Sequence, residues 1–211
     1  SWIVTTDTLN IKMEVDIPSV IQADMYENGL IPHPYKSNVE PQLLWIPQHE
    51  WEYSLDFKAE DYILREDVIE LVFEGLDTYA DVWMNGKKIL HADNMFRTYS
   101  YDVKDIIKET NNIKIKFYPF DKERDSLIET YPLRFPEKYA VMRKAAYQNG
   151  WDWAPRYMNM GIWQPVYLKA WTRSTICSAS VITKEIHDDK ADLFYEARND
   201  ANVEHNVSLQ L

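Results

Sequence analysis

A short motif in the second half of the chain has the residue types of a sugar-binding site. Trp151-Asp152-Trp153 places one carboxylate between two indoles, and Ala154 and Pro155 follow directly. Indole faces cover the C–H side of a pyranose, and a carboxylate accepts hydrogen bonds from its hydroxyls. The same residues are also typical of two core tryptophans on either side of a turn aspartate. We call residues 151–153 the Trp-Asp-Trp motif, and both interpretations remain open at this point.

The charge of the chain excludes two classes of partner. The 211 residues carry a formal net charge of −11 at pH 7, and their 23 lysines and arginines form no basic tract. Such a chain repels the phosphates of nucleic acids and of anionic membranes, so we expect neither partner. No apolar run approaches the roughly 20 residues of a membrane span, and nothing after Ser1 resembles a signal peptide.

Cysteine and histidine usage predicts neither a metal site nor a cofactor. The one cysteine, Cys177, permits no internal disulfide and no cysteine-rich zinc site. The five histidines lack a ligand spacing such as His-x-x-x-His. His33 lies between prolines and is interpreted as a loop histidine. Scattered carboxylates such as Asp7 and Asp24 are interpreted as parts of solvated faces, not as a catalytic pair.

Alternating apolar residues predict that most of the chain forms β-strands. The alternation is clear in four segments, 51–57, 68–73, 98–103 and 112–118. A weaker alternation over residues 1–17 predicts an edge strand. Asn85-Gly86, between two strand-like runs, predicts a type I′ hairpin. Strands at this close spacing predict an all-β antiparallel sandwich or jelly roll.

A short helix is predicted near the N-terminus. Ser19 and Gln22 have the spacing of a capping box, and Gly29 suits the C′ position of a helix. We therefore predict a helix over residues 20–28.

Two proline-containing segments are predicted to be loops. Residues 31–41 contain too many prolines for a helix or an inner strand, which predicts an ordered crossing loop. Residues 121–149 are charged and interrupted by prolines, with one or two helical turns predicted at 139–147. A long excursion of this kind in a β domain is typical of a functional loop. It leads directly to the Trp-Asp-Trp motif.

A predicted strand at residues 166–171 closes the first domain, and Pro165 before it indicates a sheet edge. Three short strand-like runs follow it, at 176–183, 193–198 and 207–211. Three strands cannot close a sandwich, for which about seven are expected in an immunoglobulin-like domain. We therefore predict a first domain over residues 1–172 and an incomplete second β domain over residues 173–211.

Seven phrases of the chain form a recognisable set when they are taken in order. They are Ile17-Pro18-Ser19-Val20, Gly29-Leu30-Ile31-Pro32-His33-Pro34-Tyr35, Ala80-Asp81-Val82-Trp83-Met84-Asn85-Gly86, Asp93-Asn94-Met95-Phe96-Arg97, Arg143-Lys144-Ala145, Gly150-Trp151-Asp152-Trp153 and Gly161-Ile162-Trp163. Over about residues 14–171 the chain thereby resembles the β-mannosidases of glycoside hydrolase family 2. The asparagine-glycine hairpin recurs in β-galactosidases and β-glucuronidases, whereas the Asp93 phrase combined with the Trp-Asp-Trp motif is more specific to the mannosidase branch.

This resemblance implies a galactose-binding-like jelly roll, then an immunoglobulin-like domain, then a TIM barrel that carries two catalytic glutamates. The first fits residues 1–172, and the start of the second fits residues 173–211. Neither glutamate has a counterpart here, so no catalytic residue is expected and the chain alone should be inactive. The resemblance implies a β-mannoside oligosaccharide as substrate and packing on the barrel as the intramolecular contact.

The resemblance also implies that Trp151, Asp152 and Trp153 are substrate-binding residues. In β-mannosidases the matching loop reaches the barrel mouth, where the aspartate accepts hydrogen bonds from mannose hydroxyls and the indoles shape the pocket wall. Family members usually carry glycine where this chain has Ala154. A strained or differently shaped turn is expected if this position needs a positive φ.

Two further phrases receive structural interpretations. Asp93-Asn94-Met95-Phe96 is interpreted as an Asx turn with Met95 and Phe96 packed inward, and Trp163 as a core residue. Three other functions stay open: a free-standing carbohydrate-binding or lectin-like module, another family 2 glycosidase such as a β-galactosidase, and a purely structural assembly domain. The sequence leaves the aglycone, the oligomeric state and the compartment undetermined.

Overall fold

The computed structural model describes residues 1–6, 8–130 and 137–201, and within them strands dominate. The strands and α-helices are, in chain order, β1 (Trp2–Thr6), β2 (Ile11–Val15), α1 (Ile21–Glu27), α2 (Glu40–Leu43), β3 (Trp51–Lys58), α3 (Asp61–Leu64), β4 (Val68–Phe73), β5 (Ala80–Met84), β6 (Lys87–Ala92), β7 (Tyr99–Asp102), β8 (Thr110–Phe117), α4 (Phe120–Thr130), β9 (Val166–Trp171), β10 (Ser174–Ile186) and β11 (Ala191–Ala201). Short 3-10 helices occupy Ile46–Gln48, Lys138–Val141 and Ala146–Asn149. None of the helices in these ranges is long and apolar enough to cross a membrane.

The strands form two facing antiparallel sheets and one separate hairpin. The larger sheet has six strands in the order β2-β1-β3-β8-β5-β6, and the smaller has three in the order β7-β4-β9. Tyr53 and Ile115 from the larger sheet share one buried core with Leu71 and Phe73 from the smaller. Alternating residues of each strand point to the same side, so one apolar face per sheet is enough to enclose this core. The prediction of an all-β antiparallel sandwich is confirmed.

The predicted type I′ hairpin is present between β5 and β6. Asn85 and Gly86 adopt φ values of 51° and 82°, the two positive values that this turn requires. The predicted strands at 51–57, 68–73 and 112–118 correspond to β3, β4 and β8. The predicted closing strand corresponds to β9, which lies at the edge of the smaller sheet as Pro165 indicated.

The prediction of one edge strand over residues 1–17 is wrong. Two strands, β1 and β2, pair with each other, and β1 also pairs with β3, so only β2 lies at the edge. Asn10 adopts a φ of 52° in the turn between them, a conformation that asparagine tolerates. The buried apolar side chains are even-numbered in β1 (Trp2 and Val4) and odd-numbered in β2 (Met13 and Val15), so the alternation changes phase at the turn. The prediction followed the odd-numbered apolar residues alone and therefore missed the turn.

The helix predicted at residues 20–28 is confirmed as α1, and its C-terminus has the predicted glycine. Gly29 has a φ of 69° and donates its N–H to Tyr26 O at 2.9 Å. Leu30 N–H donates to Met25 O at 2.9 Å. These two bonds form a Schellman motif, which satisfies the last carbonyls of the helix.

The predicted capping box of α1 is wrong. The N-cap residue is Val20, and no side chain caps this end. The amide of Gln22 instead donates from Nε2 to Met158 O at 2.9 Å. A tertiary acceptor has replaced the local one, because this end of α1 is packed against residues 158–162, and sequence spacing does not show that contact.

The long segment between β8 and β9 differs in part from its prediction. Residues 120–130 form α4, which sequence reading missed because the helix is mostly polar and buries only Phe120 and Arg124. The turns predicted at 139–147 appear as the two 3-10 helices, and the non-helical residues 142–145 lie between them. Pro132 and Pro136 lie outside the described residues.

Strands β10 and β11 form an exposed hairpin beyond the sandwich. Within the part of the chain that the structure describes they pair only with each other, and most of their residues are exposed. They extend the strands predicted at 176–183 and 193–198, whereas the run predicted at 207–211 lies outside the part of the chain that the structure describes. The boundary at residue 172 and the immunoglobulin-like nature of the second domain remain predictions.

Candidate functional site

The Trp-Asp-Trp motif lies on a tight exposed turn. Trp151 N–H donates to Ala154 O at 3.1 Å, and Ala154 N–H donates to Trp151 O at 3.2 Å. This reciprocal pair leaves Asp152 and Trp153 at the tip. Trp151 is 62% exposed and Trp153 82% exposed, so these indoles do not belong to the hydrophobic core.

The strain considered at Ala154 does not arise. Among the described residues with a positive φ, Gly150 is the one beside the motif, at 92°, and Ala154 is not among them. Gly150 is the C-cap of the 3-10 helix Ala146–Asn149, so the positive φ belongs to the end of that helix, directly before the turn. A Cβ built on Gly150 would lie 3.4 Å from Arg156 Cβ, an ordinary van der Waals distance, so the positive φ is what favours glycine at this position.

Trp153 also lines an aromatic groove of about 590 Å³ beside α1. Trp151 and Asp152 are not part of its wall. An edge-to-face row of rings follows the groove: the ring centroids lie 5.0 Å apart for Tyr26 and His33, 6.2 Å for His33 and Tyr35, and 5.7 Å for Tyr35 and Tyr157. His33 is an exposed loop residue, as predicted. The row presents flat apolar faces next to the motif.

A buried polar cluster lies at the base of the motif. Lys144 Nζ donates to the carboxylate of Asp77 and to Asn159 O, the latter at 2.6 Å, and the two charged side chains are 2% and 1% exposed. Gln148 Nε2 donates to Asp77 Oδ2 at 3.0 Å, and Gln148 Oε1 accepts from Asn159 N–H at 2.9 Å. We call these four residues the polar clamp. Burial lowers the pKa of Lys144, and the charge of Asp77 opposes this shift.

Sequence reasoning missed the polar clamp as a functional unit. Lys144 belongs to the Arg143-Lys144-Ala145 phrase that contributed to the resemblance, but nothing marked it as buried. Asp77 is 67 residues from Lys144 in the chain, so no local spacing connects them. The available signal was the lysine phrase directly before the motif.

Asp24 is not the solvated carboxylate that the sequence predicted. It is 1% exposed and accepts a hydrogen bond from the Tyr53 hydroxyl at 2.9 Å. Burial raises the pKa of Asp24 to about 6, although hydrogen bonds from Ser19 and Tyr53 oppose this shift. Its hydrogen-bonding side chains are those of a tyrosine and a serine, and the negative charge of Glu27 contributes to the raised pKa. Asp7 lies outside the described residues.

The Asp93 phrase forms the predicted Asx turn, but only one of its two apolar side chains is buried. Asn94 Oδ1 accepts from Phe96 N–H at 2.9 Å, and Met95 is 3% exposed. Phe96 is 63% exposed, which corrects the prediction that it packs inward. The turn directs consecutive side chains to different sides, and Met95 alone reaches the protein.

Trp163 is half-buried and anchors the Asp93 phrase. Its Nε1 donates to Met95 O at 3.1 Å. A Cβ at Gly75 would lie 2.4 Å from Trp163 Nε1, so only glycine leaves room for the indole. Trp163 is not among the residues of the buried core, which corrects the prediction of a core residue, and it packs instead against Gly75.

One group of side chains on the β10–β11 hairpin has ligand types for a metal. The ligand atoms of Glu185, His187 and Asp192 lie within 4.8 Å of one another among the residues that the structure describes. His187 Nε2 and Asp192 Oδ2 are 3.2 Å apart. Exposed groups of this kind are common without an ion, so we assign no metal to them.

The two-sheet sandwich and its exposed aromatic turn define the chain as a galactose-binding-like domain of the kind found in glycosidases. The chain belongs to the glycosyl hydrolase 2 galactose-binding domain-like family, whose model matches residues 2–164. This finding confirms the predicted fold class and the predicted family resemblance.

Curated relatives of the chain are β-mannosidases. The β-mannosidase of Mus musculus is 29% identical over 183 residues, which cover 81% of this chain and 21% of that protein. β-Mannosidase A of Emericella nidulans is 31% identical over 179 residues, which cover 79% and 19%. The chain thus spans about a fifth of the length of these relatives.

Solved structures show the same relationship. The β-D-mannosidase of Dictyoglomus thermophilum superposes with a TM-score of 0.88 at 30% identity, covering 95% of this chain and 25% of that one. The exo-chitosanase of Amycolatopsis orientalis gives a TM-score of 0.72 at 21% identity, with 96% and 24% covered, and supports the fold alone.

Proposed function

We propose that this chain is the non-catalytic, substrate-shaping sandwich of a β-mannosidase-like retaining glycosidase that removes terminal β-D-mannose from oligosaccharides. The observation that carries the proposal is the presentation of the Trp-Asp-Trp motif on an exposed, hydrogen-bonded turn. Buried indoles would have left the motif with a packing role only. Relatives that are named β-mannosidases supply the substrate class.

The motif has the chemistry to recognise a sugar but not to cleave one. An ionised Asp152 accepts hydrogen bonds from hydroxyls, and the indoles of Trp151 and Trp153 cover C–H faces. Retaining hydrolysis needs two carboxyl groups about 5–5.5 Å apart across the scissile bond. We assign that pair to a TIM barrel of the same polypeptide, and the barrel is then the intramolecular partner of this chain. No cofactor enters this scheme.

The exposed β10–β11 hairpin supports a further part of the proposal, that a second β domain follows the sandwich. Cross-strand neighbours such as Ile182 and Phe194 are 47% and 45% exposed, and Val181 opposite Tyr195 is 59% exposed. These adjacent pairs point to opposite faces of the hairpin, and a second sheet would cover the pair on one of these faces. We interpret residues 173–211 as the start of an immunoglobulin-like domain that provides this sheet.

A free-standing sugar-binding module is the second candidate, and the aromatic groove is the observation that favours it.

The two candidate functions predict different behaviour of the 211-residue chain when it is assayed without a barrel. As part of a glycosidase it should not hydrolyse a chromogenic β-mannoside, whereas a polypeptide that continues through the barrel should. It should bind mannose only at millimolar concentration or above, since one wall of a site contributes no more than about −4 kcal/mol. Turnover by the pure chain would contradict the proposal, and micromolar binding of mannosides would favour the module.

A further inference from the structure

The loop that carries the Trp-Asp-Trp motif begins and ends at the polar clamp. Gln148 lies just before the loop, in the 3-10 helix Ala146–Asn149, and Asn159 lies just after it. Gln148 Oε1 accepts from Asn159 N–H at 2.9 Å, which joins the two ends directly. Lys144 joins them a second time, because its Nζ donates to Asn159 O at 2.6 Å. Residues 149–158 therefore form a closed loop, and two hydrogen bonds to the backbone of Asn159 hold its two ends together.

The base of this loop is attached to the sandwich through Asp77. The carboxylate of Asp77 accepts from both Lys144 and Gln148, using a different oxygen for each. The backbone of Asp77 exchanges two hydrogen bonds with Gly161, at 2.9 and 3.0 Å. Asp77 follows strand β4, so the clamp connects the loop to the smaller sheet. A continuous set of contacts leads from the core to the motif.

Burial makes the clamp selective for one geometry. Lys144 and Asp77 are almost completely buried, and Gln148 is 4% exposed. A buried polar group without a partner costs more than a single exposed hydrogen bond contributes. In any other position of the loop these buried groups would lose their hydrogen-bond partners, and water would not replace them. Lys144, Asp77 and Gln148 therefore hold one arrangement of the two loop ends, whereas exposed pairs would allow several.

We propose that Lys144 and Gln148 are positioning residues that fix the orientation of the Trp-Asp-Trp motif toward the bound mannoside. They act through the loop and do not touch the sugar. This inference rests on the proposed function for the identity of the ligand, a mannoside. The effect of Lys144 and Gln148 on the loop can be measured without any sugar. The amides of Trp151 and Ala154 are suitable reporters, since each donates to the other residue's carbonyl across the turn.

The first test is amide hydrogen exchange on the 211-residue chain, by NMR, in Gln148→Leu and in the control Gln42→Leu. Gln42 is exposed on α2 and takes no part in the clamp. Gln148→Leu should accelerate exchange at Trp151 and Ala154 roughly tenfold or more, because it removes the two side-chain hydrogen bonds of Gln148, to Asp77 and from Asn159. Exchange in β8 should not change. Unchanged motif amides, or equal acceleration throughout the sandwich, would overturn the proposal.

Lys144 requires a paired substitution, because Lys144→Met alone leaves the carboxylate of Asp77 buried without its cation. Lys144→Met combined with Asp77→Asn removes both charges and keeps an amide oxygen as the acceptor for Gln148. Asn159 O still loses its donor, so the double variant should accelerate the same two reporter amides by a similar factor. If the double variant folds and its two reporter amides still exchange at the wild-type rate, Lys144 is not a positioning residue.

The second test separates the clamp from the proposed function and uses a polypeptide that includes the barrel. Gln148→Leu should raise KM for a β-mannoside roughly tenfold and change kcat little, since a displaced motif loses binding at a distance from the scissile bond. Gln148→Leu could accelerate exchange of the reporter amides while neither Gln148→Leu nor Asp152→Ala changes the kinetics. That outcome would support the polar clamp and reject the sugar-binding role of the Trp-Asp-Trp motif. A kinetic effect of Asp152→Ala with no effect of Gln148→Leu in either measurement would reject the clamp alone.

Discussion

At the scale of single residues, two carboxylates with opposite surroundings show how position determines role. Asp152 lies at the tip of an exposed turn between two indoles. Asp24 is enclosed between α1 and β3 and accepts from a buried tyrosine hydroxyl. An exposed carboxylate is free to meet a sugar, whereas a buried one is engaged with its own fold. The first should therefore affect catalysis, and the second stability.

Asp152→Ala should reduce the catalytic efficiency of a barrel-containing polypeptide. A hydrogen bond to an ionised acceptor contributes about 1.5–3 kcal/mol, so kcat/KM for β-mannosides should fall roughly 10- to 150-fold. Steady-state kinetics with a chromogenic mannoside would measure this change, and the exposed Asp16→Ala is the control for a lost surface charge. If Asp152→Ala unfolds the chain but leaves the kinetics per folded molecule intact, Asp152 is only a turn residue.

Asp24 should make the stability of the fold depend on pH. Its pKa of about 6 lies above the ordinary 3.8, so the folded state favours the protonated acid. The resulting stabilisation is present below about pH 4 and is lost as the pH rises through 6. It amounts to about 3 kcal/mol, because each pKa unit corresponds to about 1.4 kcal/mol.

Asp24→Asn tests this dependence, since its amide oxygen still accepts from Tyr53 and cannot titrate in this range. Urea unfolding at pH 4 and pH 7 should show that the variant gains roughly 2 kcal/mol relative to wild type, since the unfolded acid is already partly ionised at pH 4. Asp16→Asn, on an exposed carboxylate, should gain almost nothing. Parallel pH profiles for wild type and Asp24→Asn would show that burial does not shift the pKa of Asp24.

At the scale of elements, residues 158–162 connect the motif loop to the sandwich. Ile21 N–H donates to Met160 O at 2.8 Å, and Ser19 N–H donates to Ile162 O at 2.9 Å. Gly161 between them has a φ of 146°, and a Cβ there would lie 2.9 Å from Ser19 O. The entry of α1 and the exit of the motif loop therefore pack backbone against backbone.

Gly161→Ala should destabilise the fold by about 1–3 kcal/mol through the unfavourable φ, and further through the contact with Ser19 O. Gly86→Ala is the matched control, because Gly86 also has a positive φ of 82° but has no atom within 4 Å of a built Cβ. Chemical denaturation should therefore show a larger loss for Gly161→Ala. Equal losses would mean that the chain relaxes around the added methyl group.

At the scale of the whole molecule, the sandwich and the β10–β11 hairpin differ in how far their apolar side chains are buried. The sandwich has two sheets around one core. The β10–β11 hairpin has its apolar side chains exposed, and its strands pair with each other. An element with few buried apolar contacts opens at low cost.

Limited proteolysis should therefore remove the chain from about residue 174 and stop near Trp171. The trimmed sandwich should keep its circular dichroism spectrum, because β9 completes the smaller sheet before the cleavage region. Mass spectrometry of the fragments would locate the cut. Equal protection of the hairpin and of β3 would contradict this prediction and the domain boundary at residue 172.

The sequence by itself determined the features that depend on local chemistry. Period-2 alternation located β3, β4, β7 and β8, because alternating side chains of a strand point to the same face. Asn85-Gly86 specified its turn, and Gly29 the end of α1, since both positions need a positive φ. The order of the family phrases predicted the family that the comparisons then showed. The Trp-Asp-Trp motif was visible as a candidate, although its exposure was not.

Only the tertiary structure decided which polar residues are buried and with whom. Ser19 and Gln22 match a capping box, but packing against residues 158–162 gives Gln22 a different acceptor. Asp24 looks like any surface acid in the sequence, but it lies on the buried face of α1 and accepts from Tyr53 of β3. The ion pair of Lys144 and Asp77 joins residues 67 positions apart. Burial and pairing at such separations depend on how the sheets and loops pack, and no local pattern of residues records that packing.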